Sequence, residues 1–211
     1  MEIDLHIHSY HSKDSRSRPK HIIERAIALG LGAIAVTDHD SWAGAMETKK
    51  LAGGRLLIVP GAELKTDVGD VLTLFVENDF STRQYTEVID EVGSQGGICI
   101  IPHPIQSTRM RESDMAMADG IEVFNSKSSP KNNSMAAQLA MRLGKPGFSN
   151  SDAHIVREIG NGTTEVADCT DLEALRRCIL RNPIPRRMVR SSWLQAVSQA
   201  FSYGTKGIRK R

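Results

Sequence analysis

The sequence predicts an α/β barrel, and three observations carry that expectation. Short apolar runs of strand length alternate with segments of helical periodicity, about seven times along the 211 residues. Glycine and proline punctuate the junctions. Histidines and carboxylates recur just past the carboxyl ends of the apolar runs, where the loops of a parallel α/β fold converge. About seven units suit a closed or nearly closed barrel better than an open sheet.

Taken in order, "EIDLHIH" reads as the first strand. "RPKHIIERAIALG" reads as a helix, with Pro19 near its start, apolar Ile22, Ile23, Ala26, Ile27 and Leu29 at helical spacing, and Gly30 as a stop. "AIAV" (33–36) is a buried strand, followed by a helix over 42–52. "RLLIVP" (55–60) and "VLTLFV" (71–76) are strands, then come a helix over 83–94 and the strand "ICIIP" (98–102). "GIEVFN" (120–125) is a strand and "NSMAAQLAMRLG" (133–144) an amphipathic helix ending in glycine. A strand near 147–149 and a short one at "TEVA" follow. The helix "TDLEALRRCIL" (170–180) has Thr170 as N-cap and Glu173 three residues on, the pattern of a capping box. These elements place one barrel domain over residues 1–182.

Residues 183–211 read as a basic tail. In it Leu194, Val197 and Phe201, with Trp193 nearby, form the apolar stripe of a helix packed on the barrel. Residues 174–211 hold ten of the 27 Lys/Arg and none of the 25 Asp/Glu. An acidic body with a basic tail leaves two readings open, a solvated end or a surface for a phosphate-rich partner such as nucleic acid. With 40% hydrophobic and 25% charged residues, the composition is that of a soluble globular protein rather than a disordered one. Cys99, Cys169 and Cys178 are an odd number without a C-x-x-C pair. That argues against a disulfide framework and fits a reducing compartment. No signal-like segment is evident, and the run "ALGLGAIAV" is too short to span a bilayer, so a cytoplasmic protein with no membrane partner is expected.

His6 and His8 stand at i and i+2 in the first strand, which turns them to one side, with Asp4 behind them. Imidazole is the commonest metal ligand near neutral pH, so the pair is a ligand candidate. The other candidates follow strands: Asp38, His39 and Asp40 in "TDHD", Glu63 in "GAE", His103 between Pro102 and Pro104, and Asp152 and His154 in "SDAH". His21 falls on a helix surface and His11 is ambiguous. Glu63, Asp152, Asp14 and Asp70 would crowd carboxylates into one mouth, where they repel unless cations sit among them.

"DLHIHSYHSKDS", "TDHD", "PGAEL", "IPHP" and "SDAH", in that order, resemble the motifs of the PHP (polymerase and histidinol phosphatase) superfamily over residues 2–167. The resemblance implies a distorted (β/α)7 barrel with a trinuclear metal site at the carboxyl end of its strands. His6, His8, Glu63 and Asp152 would hold a first metal. Glu63 would bridge to a second that also takes His103. Asp14, His39 and His154 would hold a third. Many relatives carry a histidine in the strand after the "GAE" glutamate; here Asp70 stands in its place. An aspartate there favours a harder ion such as Mn²⁺ or Mg²⁺. Two to three divalent ions, Mn, Zn, Fe or Mg, are thus expected, with Asp4 and Asp38 as supports behind the ligands.

A hydroxide bridging such metals is a strong nucleophile at neutral pH, and the metals neutralise charge during in-line displacement at phosphorus. Phosphoester hydrolysis is the favoured reaction class. Arg157 and Lys127 are candidates to grip substrate phosphate, and Arg109 and Arg111 read as exposed loop residues. Asn125 either orients a ligand or caps the next turn. Three functions stay open. The first is a phosphatase for a nucleotide or other small phosphorylated metabolite. The second is a 5′–3′ exonuclease on short RNA or DNA using the basic tail. The third is a metal-binding interaction module without catalysis.

Overall fold

The computed structural model describes residues 1–106 and 109–191. Nine strands form one sheet in the order β7-β6-β5-β4-β3-β2-β1-β8-β9. The strands are β1 (Glu2–Ile7), β2 (Ala33–Val36), β3 (Leu57–Lys65), β4 (Asp70–Leu74), β5 (Ile98–Ile101), β6 (Gly120–Asn125), β7 (Gly147–Asn150), β8 (Gly162–Glu165) and β9 (Ile184–Met188). The helices are α1 (Pro19–Ala28), α2 (Ala43–Ala52), α3 (Tyr85–Ser94), α4 (Glu112–Met115), α5 (Pro130–Leu143) and α6 (Leu172–Cys178). Among the described residues no helix is long and apolar enough to cross a membrane.

The sheet curls into a nearly closed barrel, but it is not parallel throughout. β1–β2–β3 and β5–β6–β7 are parallel runs. β4 is antiparallel to both β3 and β5. The reason is the connection: only residues 66–69 join β3 to β4, too few for a helical crossover, so the chain must turn straight back. Thr66 closes that turn, its amide donating to the Gly69 carbonyl at 2.9 Å. β8 runs antiparallel to β1, and β9 antiparallel to β8. The chain beyond residue 182 therefore first adds a strand to the sheet. The apolar stripe expected at 193–201 lies outside the described residues.

The seam beside β7 is closed mainly by side chains. Leu5 N–H donates to Asn150 Oδ1 at 3.0 Å, and Ser149 N–H to Thr164 Oγ1 at 2.8 Å. Ser149 Oγ donates to the Arg187 carbonyl at 2.7 Å. Past β7, Ile7 and Ala153 form one isolated parallel bridge.

Ile3, Leu5, Ala33, Ala35, Val59, Leu72, Leu74, Ile98, Ile100 and Phe148 fill the barrel, with α6 contributing Leu175 at the end where the parallel strands begin. Ile7 packs outside instead, with Ile22, Ile23 and Ala26 of α1 and Ala45 of α2. The register of β1 shifts between Asp4 and Ile7, and this irregularity accompanies the change of face. It is what turns His6 toward the mouth directly after the inward-facing Leu5.

Two helix starts differ from the sequence reading. α5 begins at Pro130, because Ser129 caps it by accepting from Asn132 N–H at 3.1 Å. α6 is capped by Asp171, which accepts from Ala174 N–H at 2.8 Å, and not by Thr170. Glu173 pairs with Arg176 and Arg177. The shift by one residue follows from reach, since Asp171 stands three residues before the amide it satisfies.

Phe148 is fully buried, and its ring lies where a side chain on Gly120 would stand. Phe148→Ala is expected to cost about 3–5 kcal/mol of stability, read as a drop in the urea midpoint with an unchanged slope.

Candidate metal centre

The mouth at the carboxyl end of the parallel strands is built around Glu63. β3 runs through this residue rather than stopping before it, so the carboxylate sits on a rigid strand and not in a loop. Glu63 Oε2 lies 3.3 Å from His6 Nε2, 3.4 Å from His8 Nε2 and 3.1 Å from His39 Nδ1. Its Oε1 lies 3.1 Å from His103 Nε2. Asp152 Oδ1 faces the same pair from the other side, 3.5 Å from His6 Nε2 and 3.3 Å from His8 Nε2. Asp14 Oδ2 lies 3.0 Å from His39 Nε2 and 3.1 Å from His154 Nε2.

Three overlapping groups result, each with ligand atoms close enough to share one ion: His6, Glu63 and His103; His6, His8 and Asp152; His8, Asp14, His39 and His154. The donor set suits a divalent cation. The Nε2 atoms of His6 and His8 are buried and have no hydrogen-bond partner, which is the state of nitrogens awaiting an acceptor of their lone pairs. His6 Nδ1 donates to Glu122 Oε1 at 3.1 Å; a carboxylate only accepts, so the proton is fixed there and Nε2 is turned to the cluster.

The electrostatics follow from burial opposed by neighbours. Burial alone would depress His6, but Asp152, Glu63 and Glu122 hold it well above its ordinary value. His39 is raised to about 10, Asp14 and Glu63 outweighing burial, and His103 to about 9, chiefly by Glu63 against burial. His8 is pushed down to about 3 by burial and then by His154. Burial opposes the charge on Glu63 and Asp152, yet the surrounding imidazoles, His6 foremost, hold both well below the usual carboxylate range. The cluster thus contains buried negative charge that protons on imidazole offset, the role a divalent cation would take over.

The backbone is bent to deliver two of these side chains. His103 has φ 32° and Asp152 φ 50°, both in the left-handed region. Pro104 follows His103 and disfavours the right-handed alternative there. Asp38 joins none of the ligand groups; it accepts from Ser9 N–H at 2.7 Å, Ser9 Oγ at 2.6 Å and Ser12 N–H at 3.1 Å, shaping the loop that carries His8 and Asp14. A Cβ on Gly44 would stand 1.9 Å from Asp38 Oδ2, so α2 needs a glycine at that point. Asp4 likewise acts on backbone, accepting from Ser151 N–H at 3.1 Å and Gly160 N–H at 3.0 Å.

Two expected site residues stand outside the three ligand groups. Asp70 shares the inward face of β4 with Leu72, the partner of Glu63, but joins none of the three groups. Burial and then the charge of Glu63 raise its carboxyl while His103 and His39 lower it, so Asp70 stands beside the cluster, though it makes no hydrogen bond or ion pair among the described residues. Arg157 is exposed and has no such partner either, because the turn after His154 points it to solvent. Arg109 and Arg111 are exposed, and Arg111 pairs with Asp114. Lys127, by contrast, reaches the cluster: its Nζ lies 2.6 Å from His154 Nδ1 and 3.7 Å from Glu158 Oε2. Asn125 donates to Asp152 Oδ2 at 3.1 Å and accepts from Lys127 N–H at 2.9 Å, so it both orients a ligand and caps the turn.

The sequence reading missed Glu122, Asn150 and Arg190. Glu122 is buried in β6 and accepts from His6 Nδ1, His103 N–H at 2.8 Å, Asn125 Nδ2 at 2.9 Å and Asn150 Nδ2 at 3.0 Å. The signal was a lone acid inside the apolar strand "GIEVFN". Arg190, past β9, donates from Nε to the Ser128 carbonyl at 3.0 Å, and Ser191 N–H donates to the Ser126 carbonyl at 2.9 Å. The chain there is stitched to the loop that carries Lys127.

Comparison with known proteins agrees with this fold. An uncharacterized protein of Methanocaldococcus jannaschii is 34% identical over 143 residues, covering 59% of this chain and 82% of that one. A two-domain protein of Bacteroides vulgatus, described as containing a predicted PHP-like metal-dependent phosphoesterase, superposes with TM-score 0.75 at 19% identity over 89% of this chain. This chain spans 65% of that longer protein. PsfC of Pseudomonas syringae superposes with TM-score 0.73 at 20% identity, covering 97% of this chain and 98% of that one. The profile of the PHP-associated family matches residues 130–182. That of the PHP domain matches residues 4–112, which take in His6, His8, Asp14, His39, Glu63 and His103, and the chain belongs to the PHP domain family.

Proposed function

We propose that the protein is a metal-dependent phosphatase acting on phosphate monoesters of small metabolites, nucleotides among them. The observation that supports this most is the overlap of the three ligand groups through His6 and His8, which sets neighbouring cation positions side by side in one mouth. When bound, the cations would supply Lewis acidity at phosphoryl oxygens and acidify a water.

The chain's own residues would do the rest. His6 is held by Glu122 with Nε2 facing inward, where a cation would displace its proton, and His8 is kept neutral with its lone pair available. Asn125 and Glu122 fix Asp152 and the His103 backbone in place. Lys127 sets an ammonium beside His154 on the rim, and Arg190 is tethered to the same loop. Two cations on one side of the mouth suit the dianion of a terminal phosphate, with Arg190 taking the part that the sequence reading gave to Arg157.

The test is elemental analysis of the purified protein together with turnover of p-nitrophenyl phosphate in added Mn²⁺. Two to three ions per chain and turnover lost in His8→Ala are expected. Ions without turnover on phosphomonoesters would favour the binding module. A preference for oligonucleotides with a steep fall in salt would favour the nuclease. Glu122→Gln is expected to lower metal affinity or kcat/KM about 10–100-fold, since the amide is a poorer partner for the His6 Nδ1 proton. Lys127→Ala is expected to raise KM about tenfold and leave metal content unchanged, as loss of one charged hydrogen bond predicts. A change in metal content instead would move Lys127 from substrate grip to cluster support.

A further inference from the structure

The second chemically distinctive cluster lies at the opposite end of the barrel. Cys169 precedes α6, and Cys178 is its last residue. Their Sγ atoms lie 2.9 Å apart. Both side chains are partly exposed, so small reagents can reach them. The other contacts of the two thiols are weak: Cys169 Sγ donates to the Ala167 carbonyl at 3.3 Å and Cys178 Sγ to the Leu175 carbonyl at 3.4 Å. Cys99 is buried elsewhere, its thiol pushed up by burial and by Asp119. Sequence spacing gave no hint of the pair, because eight residues, most of them helical, lie between the two.

We propose that Cys169 and Cys178 form a redox-active dithiol that closes to an intramolecular disulfide around α6 on exposure to a peroxide or a small-molecule disulfide. The sulfurs need to approach by less than about 1 Å to reach bonding distance. With oxidised glutathione, one thiolate attacks the glutathione S–S bond and releases one glutathione thiol. The second thiolate then attacks the mixed disulfide and releases the other. The protein loses two electrons and two protons, and the reagent becomes two thiols. Burial, with the hydrogen bond to Cys178, pushes the Cys169 thiol up to about 11, so the resting pair is protonated and the reaction accelerates in alkaline buffer. α6 docks Leu175 and, just beyond, Ile179 under the barrel, and Arg176 donates to the Gly96 carbonyl at 3.3 Å. The closed form would tie both ends of this helix together while leaving the metal centre, at the other end of the strands, unchanged.

The test uses the full chain incubated with oxidised glutathione and digested with trypsin without reduction. Trypsin cuts after Arg176 and Arg177, between the two cysteines. The expected product is peptide 158–176 joined to peptide 178–181, separated by dithiothreitol. Cys169→Ser and Cys178→Ser should each abolish it, and Cys99→Ser should retain it. The oxidised wild type should also melt at a higher temperature. Stable glutathione adducts, a link to Cys99, cross-linked dimers, or two thiols still open to alkylation would each overturn the proposal.

Discussion

The carboxylate of Glu63 is the constraint on which the mouth of this barrel depends. It is almost fully buried, and a charge so placed is tolerated only when opposing groups surround it. Four imidazoles do so, from β1, from the residue just past it, and from the loops after β2 and β5. Its backbone is pinned as well, with Asp40 N–H donating to the Glu63 carbonyl at 2.9 Å and Glu63 N–H to the Asp38 carbonyl at 3.2 Å. One side chain thus draws segments far apart in sequence to a common point.

Behind it lies a second buried polar layer, in which Glu122 joins β1, β5, β6 and β7 through His6, His103, Asn125 and Asn150. Asn150 also accepts from the Leu5 amide, so the same network crosses the seam. Closure of the barrel and orientation of the histidines are therefore one task here. A buried hydrogen-bond network of this kind specifies a single arrangement where apolar packing alone leaves several.

Much of this was legible in the sequence. The D-x-H-x-H strand, the "TDHD" and "SDAH" loops and the proline-flanked His103 could be assigned because ligands at strand ends stand out against apolar runs. The antiparallel β4 was not, since an apolar run carries no direction; only the four-residue connection does. Glu122 went unnoticed inside its apolar strand, because burial depends on what a strand's neighbours are. Asp70 aligned with a ligand position by order along the chain, and the fold sets it within the field of Glu63, His103 and His39 without placing it in a ligand group. Lys127 and Arg157 stood equal as cations until the turns that carry them were known.

The left-handed backbone at His103 and Asp152 has a consequence for how this fold can change. Residues other than glycine held there cost on the order of 1–3 kcal/mol each, and the surrounding structure must absorb it. Both positions carry side chains of the cluster, so backbone ease and the charge balance of the mouth pull in opposite directions at the same two residues. Glycine at either place would relax the backbone but leave a buried charge of the cluster without its opposing group. The same two side chains thus strain the backbone locally and balance charge across the mouth.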